Sequence, residues 1–209
     1  MSEKSATERG TLSDVRDRTD DITDIEPQPI VQLSTRPVYA NRWISVREDQ
    51  VRFPNAHEGI YGVVTCSPCV GILPFVDDDH VLLIRQFRYV RQELTWEMPT
   101  GAREHGEDAE TAAQRELGEE CGVRAGRLTP VCRFDSSKSV VHERAELFLA
   151  HDLSAVEARP EATEQIVRRV VPFAEALAMV RRSEITDAMT VIAILHAALD
   201  RAGLSAGAG

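Results

Sequence analysis

Three glutamates, Glu116, Glu119 and Glu120, are concentrated in the segment RELGEE. If this segment is helical, residues three and four positions apart project from one face, so the three carboxylates lie together. Like charges at this spacing destabilise a helix by about 0.2–0.5 kcal/mol per pair, so the face needs a counter-charge. A hard divalent cation such as Mg²⁺ or Mn²⁺ would provide it, and so would the neighbouring Arg115. The three glutamates alone favour the arginine.

The wider spacing of the segment reverses that preference. From Gly101 to Val123 the sequence can be written GX5EX7RELXEEXGV. This pattern resembles the Nudix box, the signature of the Nudix hydrolases, and it fills every defining position of that box. So many fixed residues at fixed distances make the signal much more specific than a lone glycine motif.

The resemblance implies a role for each position of the box. A divalent cation, Mg²⁺ or Mn²⁺, would be bound by four oxygen ligands: the carboxylates of Glu116, Glu119 and Glu120 and the backbone carbonyl of Thr100. Four further residues would have structural roles: Gly101, Glu107, Arg115 and Gly122. An ion pair between Glu107 and Arg115 would fix the loop to the helix and keep Arg115 away from the metal ligands.

Three segments outside the box are similar to the ADP-ribose and nucleotide-sugar pyrophosphatase branch of this family: RQFR, WEMPTG and SEITDAMTVIAIL. With them the resemblance extends over roughly residues 39–199. It implies an α/β/α sandwich with a mixed sheet, preceded by an N-terminal strand region that is exchanged between the subunits of a homodimer. The implied reaction is the metal-dependent hydrolysis of the diphosphate of a nucleotide sugar, a small-molecule substrate.

Three further residues match positions that contact the substrate in that branch. Arg88 of RQFR matches a phosphate-binding arginine, and a guanidinium fork suits phosphate oxygens. Trp43 matches an aromatic residue that stacks on the base, although packing in the core is an equal alternative. Glu143 matches a glutamate on a loop that orients or deprotonates the attacking water, and the alternative is an ordinary charge at the edge of a strand.

One departure from the branch concerns the substrate. Proteins that prefer ADP-ribose usually have a Ser-Pro-Gly turn before the loop glutamate, whereas this chain has DSSKSVVHE, without proline or glycine. ADP-ribose is therefore the leading substrate, and GDP-mannose or another nucleotide sugar stays open. Two other functions are considered: a catalytically silent ligand sensor with a Nudix fold, and an enzyme that removes damaged triphosphates. The intact glutamates argue against the first and the RQFR segment against the second.

The charge of the chain limits its partners. The 209 residues contain 34 acidic and 24 basic side chains, which give a net charge of −10. Such a protein lacks the positive surface that binds nucleic acid or anionic membranes, so neither is expected as a partner. The start, MSEKSATERG, has no apolar segment of a signal peptide, and no apolar run approaches the length of a membrane span. These features predict a cytoplasmic protein.

The cysteines and one acidic triplet are two further candidates for metal sites. Cys66 and Cys69 form a CSPC pair, which could be half of a zinc site or a redox pair. A structural zinc site would need a second pair at similar spacing, which Cys121 and Cys132 do not provide. Small apolar side chains beside strands are the favoured interpretation. The triplet at 77–79 is interpreted as the turn of a hairpin.

The pattern along the chain predicts a mixed α/β domain. Short apolar or alternating runs from Tyr39 onward indicate strands, DAETAAQRELGEEC indicates a helix that Gly122 ends, and FAEALAMVRR and ITDAMTVIAILHAALDR indicate two more helices. The predicted regions are a disordered leader (1–35), the N-terminal strand region (36–66), a Nudix hydrolase domain (67–203) and a flexible tail (204–209).

Overall fold

The computed structural model describes residues 26–158 and 165–204. The strands are β1 (Val31–Ala40), β2 (Ile44–Arg52), β3 (Glu58–Cys66), β4 (Cys69–Asp77), β5 (His80–Arg88), β6 (Glu93–Glu97), β7 (Thr100–Ala102), β8 (Val123–Asp135), β9 (Val141–His142), β10 (Arg144–Ala155) and β11 (Val167–Pro172). The helices are α1 (Ala109–Glu116), α2 (Phe173–Arg181) and α3 (Ala188–Arg201), and α1 continues into a π-helical turn (Leu117–Cys121). None of the helices in the described ranges is long and apolar enough to cross a membrane.

The chain divides into two compact units. Among the described residues, the first comprises 26–35 together with Asp49–Tyr61, and the second comprises Arg36–Glu48, 62–158 and 165–204. In the first unit a tight turn joins the ends of β2 and β3. There the Phe53 N–H donates to the His57 carbonyl at 2.8 Å, and the two rings stack with centroids 6.2 Å apart.

Two sheets account for the strands. One has the order β1-β2-β3-β9, and the other has the order β11-β5-β4-β10-β8, with β6 paired to β5 and β7 paired to β4. In the second sheet β10 runs parallel to β4, whereas β8, β5 and β11 pair antiparallel with their neighbours. The sheet is therefore mixed, as predicted.

Alternating side chains of the central strands cover both faces of the second sheet. Leu73 of β4 and Leu149 of β10 pack in a core with α2 and α3, whereas Ile72 and Phe148, their neighbours in sequence, pack against α1. Since successive strand residues point to opposite faces, one sheet separates two helical layers. This arrangement confirms the predicted α/β/α sandwich.

The structure confirms the three predicted helices and corrects one boundary. The sequence predicts an unstructured leader to residue 35, whereas β1 begins at Val31. The segment VQLSTR alternates apolar and polar residues, which is the strand pattern, although every residue of β1 is exposed. The rest of that prediction, residues 1–25, and residues 205–209 of the predicted tail lie outside the described residues.

Candidate active site

Helix α1 is fixed at its start by Asp108. The Asp108 carboxylate accepts hydrogen bonds from the Thr111 N–H at 3.0 Å and from the Thr111 hydroxyl at 2.6 Å, which is the usual chemistry of a helix N-cap. Ala112 and Ala113 are fully buried against the sheet. The small side chains of this face bring the helix close to the strands, and the glutamates that follow start from a rigid element.

The glutamates lie on a turn that is not a regular α-helix. After Glu116 the helix widens into the π-helical turn, and Gly122, with φ 69°, ends it by donating its N–H to the carbonyls of Gly118 and Leu117. A π-helical turn accommodates an extra residue and is frequent at functional sites. It rotates Glu119 and Glu120 away from the positions that the 3.6-residue period predicts.

Two of the three carboxylates are buried against β7. Glu120 is 2% exposed, and its Oε2 accepts the Thr100 N–H at 3.0 Å. Glu116 is 8% exposed and occupies the space in front of Gly101, where an added Cβ would stand 1.8 Å from Glu116 Oε1. Glycine at this position therefore allows the backbone of β7 to approach the carboxylate closely.

Arg115 connects the loop before the helix to the acidic turn. Its Nε and one Nη donate to the two carboxylate oxygens of Glu107, each at 3.0 Å, as the predicted ion pair requires. Its other Nη donates to Glu116 Oε1 at 2.7 Å and to Glu119 Oε2 at 3.1 Å. Hydrogen bonding to Glu107, followed by Glu116, raises the pKa of Arg115, while burial opposes the rise. The prediction that Arg115 is kept away from the metal ligands is wrong, because its fork is wide enough to reach three carboxylates.

Arg88 is paired with a glutamate that the motif does not contain. Its Nε donates to the two oxygens of Glu97 at 2.9 and 3.1 Å, and the Glu97 side chain is only 3% exposed. Burial raises the pKa of Glu97, and the charge of Arg88 lowers it. The Arg88 side chain is 40% exposed and borders a cleft of about 340 Å³ that is also lined by Arg91, Thr95, Glu97, Thr186, Asp187 and Ala188.

Glu143 is half-buried between β9 and β10, where its carbonyl accepts the Ser136 N–H at 3.2 Å. Burial raises the pKa of the Cys66 and Cys69 thiols, and the charge of Glu143 adds to the rise. Cys69 pairs with Ala145 of β10 on one side and with Ala102 of β7 on the other. Glu143 therefore leads into a strand about 10 Å from β7, because neighbouring strands lie roughly 4.8 Å apart.

The loop before Glu143 is organised by a serine. The Ser137 hydroxyl accepts the N–H groups of Ser139, Val140 and Val141 at 3.3, 3.3 and 3.4 Å. Such hydroxyl contacts stabilise turns without proline or glycine. The segment DSSKSVVHE thus has its own means of forming a turn.

Trp43 lies in the turn between β1 and β2 and is 61% exposed. The Arg42 guanidinium lies over its ring, 4.0 Å from the centroid. Core packing, one of the two alternatives for this residue, is therefore wrong. Stacking on a base stays a prediction.

Comparison with known proteins decides the family. Residues 67–189, more than half of the chain, match the NUDIX domain. The chain belongs to the Nudix family. Residues 31–64 match the nucleoside diphosphate sugar hydrolase N-terminal domain, which covers most of β1, β2 and β3.

Two relatives and one solved structure cover most of this Nudix protein. The ADP-ribose pyrophosphatase of Bacillus subtilis (strain 168) is 30% identical over 172 residues, which span 81% of this chain and 93% of that protein. The ADP-ribose pyrophosphatase of Mycobacterium tuberculosis is 28% identical over 167 residues, which span 78% and 80%. A crystal structure of an ADP compounds hydrolase has a TM-score of 0.76 and 23% identity over 87% of this chain and 100% of that chain, and it shares the fold.

The donor chemistry of the Nudix turn fits a hard divalent cation. Glu116 and Glu119 both lie within hydrogen-bond distance of one Arg115 nitrogen, and Glu120 accepts the N–H of Thr100 beside Gly101. Carboxylate oxygens are the ligands that Mg²⁺ and Mn²⁺ prefer. Among residues 26–158 and 165–204, no three acidic, histidine or cysteine side chains are already arranged as a metal site requires. Arg115 and Thr100 hold these carboxylates instead.

Two contacts of the Nudix site involve residues outside the motif, Arg168 and Glu97. The Arg168 Nε of β11 donates to the Glu120 carbonyl at 2.6 Å, which ties the π-helical turn to the sheet. Glu97 could have been suspected, since a glutamate within the apolar segment LTWEMP is buried and needs a cationic partner. Arg168 carries no such signal, because it lies in a mostly exposed strand directly before a second arginine, Arg169.

Proposed function

We propose that this Nudix hydrolase cleaves the diphosphate of ADP-ribose and related nucleotide sugars to a nucleoside monophosphate and a sugar phosphate. The observation that carries the proposal is the acidic turn held against β7, with Arg88 fixed by Glu97 in the strand segment just before it. The site thus combines carboxylates that suit a cation with an arginine that suits phosphate.

The charge of the protein makes a cation necessary. A diphosphate diester carries two negative charges, and the protein has a net charge of −10. We propose Mg²⁺, with Mn²⁺ as a substitute, held by the carboxylates of Glu116, Glu119 and Glu120 and the Thr100 carbonyl. When bound, such an ion supplies Lewis-acid stabilisation of the negative charge on the phosphoryl oxygens.

The other residues of the site would then act on the substrate directly. The two Nη groups of Arg88 have no hydrogen-bond partner in the described part of the chain, because only its Nε contacts Glu97. They are therefore open to phosphate oxygens, which a guanidinium binds in bidentate fashion. We assign Glu143 as the group that orients and deprotonates the attacking water, and Trp43 as the ring that stacks on the base.

Substrate range follows from the same division of roles. Arg88 and the acidic turn would bind the diphosphate that all nucleotide sugars share. Discrimination between different nucleotide sugars then depends on Trp43 and on the segment DSSKSVVHE, the 135–143 loop. Trp43 is exposed and any base has a face on which it can stack. We therefore propose a range of nucleotide sugars, with ADP-ribose the best or among the best.

The first test is a substrate panel. With Mg²⁺ present, we expect hydrolysis of ADP-ribose, ADP-glucose, GDP-mannose and UDP-glucose, with several compounds within about tenfold of the best in kcat/KM, because the shared diphosphate supplies the main contacts. NADH and a damaged nucleoside triphosphate complete the panel. Products are measured by anion-exchange chromatography as nucleoside monophosphate and sugar phosphate.

Two outcomes of the panel would contradict the proposal. Preference for the damaged triphosphate would make the protein an enzyme of another substrate class. Binding of the nucleotide sugars without cleavage of any, in Mg²⁺ and in Mn²⁺, would indicate a silent sensor. A reaction without added metal, with chelator as the control, would refute the cation requirement.

We also propose a homodimer in which residues 39–64 contribute to the interface. Val38 and Tyr39 at the end of β1 and Trp43 in the next turn are 52%, 55% and 61% exposed, an unusual density of large apolar side chains for a surface. Light scattering on the full chain and on a version beginning at residue 26 should give twice the chain mass. Val38 and Tyr39 point to opposite faces of β1, so the variants Val38→Arg and Tyr39→Arg test both faces. We expect at least one of the two variants to be monomeric. A wild-type monomer with full activity would contradict the dimer.

A further inference from the structure

The geometry points to Glu97 as the positioning residue that sets where the Arg88 guanidinium meets the diphosphate. This inference rests on the proposed function, since it concerns how the same site holds its substrate. Glu97 belongs to no fixed position of the motif from Gly101 to Val123. It acts through Arg88 and does not itself contact the substrate.

The first observation is the burial and bonding of Glu97. Its side chain is 3% exposed and accepts both hydrogen bonds from the Arg88 Nε, and Gln86 is a further hydrogen-bond donor to it. Glutamate is rarely buried unless it is paired. Bonding through Nε restricts the plane of the guanidinium, and the two Nη groups keep their donors for a ligand in the cleft that Arg88 lines.

The register of the two strands shows that this pairing is selective. Arg88 stands directly opposite Glu93 in the β5–β6 ladder, whereas Glu97 stands opposite Ile84. Arg88 nevertheless reaches back along the strand to Glu97, and the exposed Glu93 pairs with Arg91. Charge alone would be satisfied by the nearer carboxylate. The arginine is thus turned toward the end of β6, from which the chain continues to β7, the strand that contacts Glu116 and Glu120.

The third observation is the short distance in sequence between Glu97 and the two residues of β7, Thr100 and Gly101, that contact the carboxylates. The segment Glu97–Gly101 fixes Arg88 at its first residue, binds Glu120 through the Thr100 N–H, and admits Glu116 in front of Gly101. Five residues of extended chain therefore fix the position of the phosphate-binding arginine relative to two of the carboxylates. A displacement of Glu97 changes the spacing between them, and small errors in such spacing reduce catalysis strongly.

A purely structural role for this ion pair predicts a different balance of stability and activity. Burial of the Glu97 carboxylate opposes its ionised form and raises its pKa. The Arg88 side chain is 40% exposed, so removal of the Glu97 charge would not leave a cation buried without a partner. Replacement by glutamine keeps the shape and removes the buried charge. A positioning residue should then lose activity without loss of stability, whereas a structural residue should lose both together.

The test is Glu97→Gln, with Arg88→Lys, the double variant, and Glu93→Gln as the matched control. We expect Glu97→Gln to lower kcat/KM for the best substrate of the panel about 10–100-fold, as supporting residues of catalytic sites commonly do, while Tm stays equal or rises. Arg88→Lys should cause a similar loss. The double variant should have a kcat/KM less than about threefold below that of Arg88→Lys alone, because the effect of Glu97→Gln passes through Arg88. Glu93→Gln should stay within about twofold of the wild type.

A binding measurement separates this inference from the proposed function. Calorimetric affinity for ADP in the presence of Mg²⁺ should fall about tenfold in Glu97→Gln and in Arg88→Lys, and not further in the double variant. If the wild type cleaves no panel compound but shows this coupling, the proposed function fails and the positioning role stands. Full additivity of the two changes, or an unchanged ADP affinity in Glu97→Gln with normal turnover, would overturn the role of Glu97.

Discussion

Glu120→Gln is expected to lower the turnover of nucleotide sugars by about 10³-fold or more while the fold stays intact. Glutamine has the size of glutamate, and its amide oxygen can still accept the Thr100 N–H that Glu120 accepts at 3.0 Å. The lost charge removes a cation ligand, whose stabilisation of phosphoryl charge amounts to several kcal/mol, and about 1.4 kcal/mol corresponds to one decade in rate. Turnover and Tm are measured with Mg²⁺ and with chelator.

The metal dependence of stability provides the sharper readout for this variant. In chelator the variant should melt at or above the wild-type temperature, because one like charge has left a turn that carries three carboxylates. Added Mg²⁺ should raise the Tm of the wild type and raise that of the variant much less. Glu110→Gln, on the exposed first turn of the same helix, is the matched control and should behave as the wild type. Near-normal turnover in Glu120→Gln would remove Glu120 from the ligand set.

The fold was predictable because its signals are local. Gly122 was predicted to end the helical segment and does so, and Asp108, the first residue of the predicted helix, caps its start. The near-continuous apolar runs of β4 and β10 give strands that are buried on both faces, which requires helices on both sides. The early start of β1 was missed, because its side chains are exposed and a polar segment without a core looks unstructured in sequence.

The arrangement within the site was less predictable, because it depends on geometry that the sequence period does not encode. A 3.6-residue period puts Glu116, Glu119 and Glu120 on one face, but the π-helical turn buries the first and last and leaves the Glu119 side chain 34% exposed. The sequence also did not determine the hydrogen-bond partners of Arg115. Arg115 was expected to bind Glu107 alone, yet a guanidinium has five donors and serves three carboxylates here.

The 135–143 loop shows how a missing motif can mislead. The absence of proline and glycine from DSSKSVVHE suggests a loose loop, but the Ser137 hydroxyl accepts three backbone N–H groups and forms a turn by other means. A broad range now rests on the exposure of Trp43 and on the diphosphate contacts that all nucleotide sugars share.

Glu143→Gln is expected to lower kcat by about 10²–10⁴-fold with little change in KM, the range usual for a lost general base. The fold places Glu143 at the entrance of β10, two strands from the β7 segment that holds the carboxylate turn, and its charge reaches Cys69 on the strand between them. The side chain is half-buried and lies at the end of a turn that Ser137 organises, so it can be positioned without belonging to the core. Glutamine keeps its hydrogen-bonding capacity but cannot take up a proton from water.

The pH profile and a control on the same loop distinguish this role from a general effect of charge. In the wild type, kcat should rise with pH and level off once the base is ionised. In Glu143→Gln this levelling should disappear, and the residual rate should keep rising with hydroxide concentration. Asp135→Asn removes a negative charge from the other end of the loop, where Asp135 is exposed and lies 3.6 Å from Arg144, and it should keep normal turnover. Because Glu143 contributes to the raised pKa of Cys69, a thiol titration offers an independent check that its side chain lies as described: the pKa of Cys69 should fall in the variant. A normal kcat combined with that fall in thiol pKa would show that Glu143 is correctly placed yet takes no proton, and the base would then be sought among the carboxylates of the turn, beginning with the half-exposed Glu119.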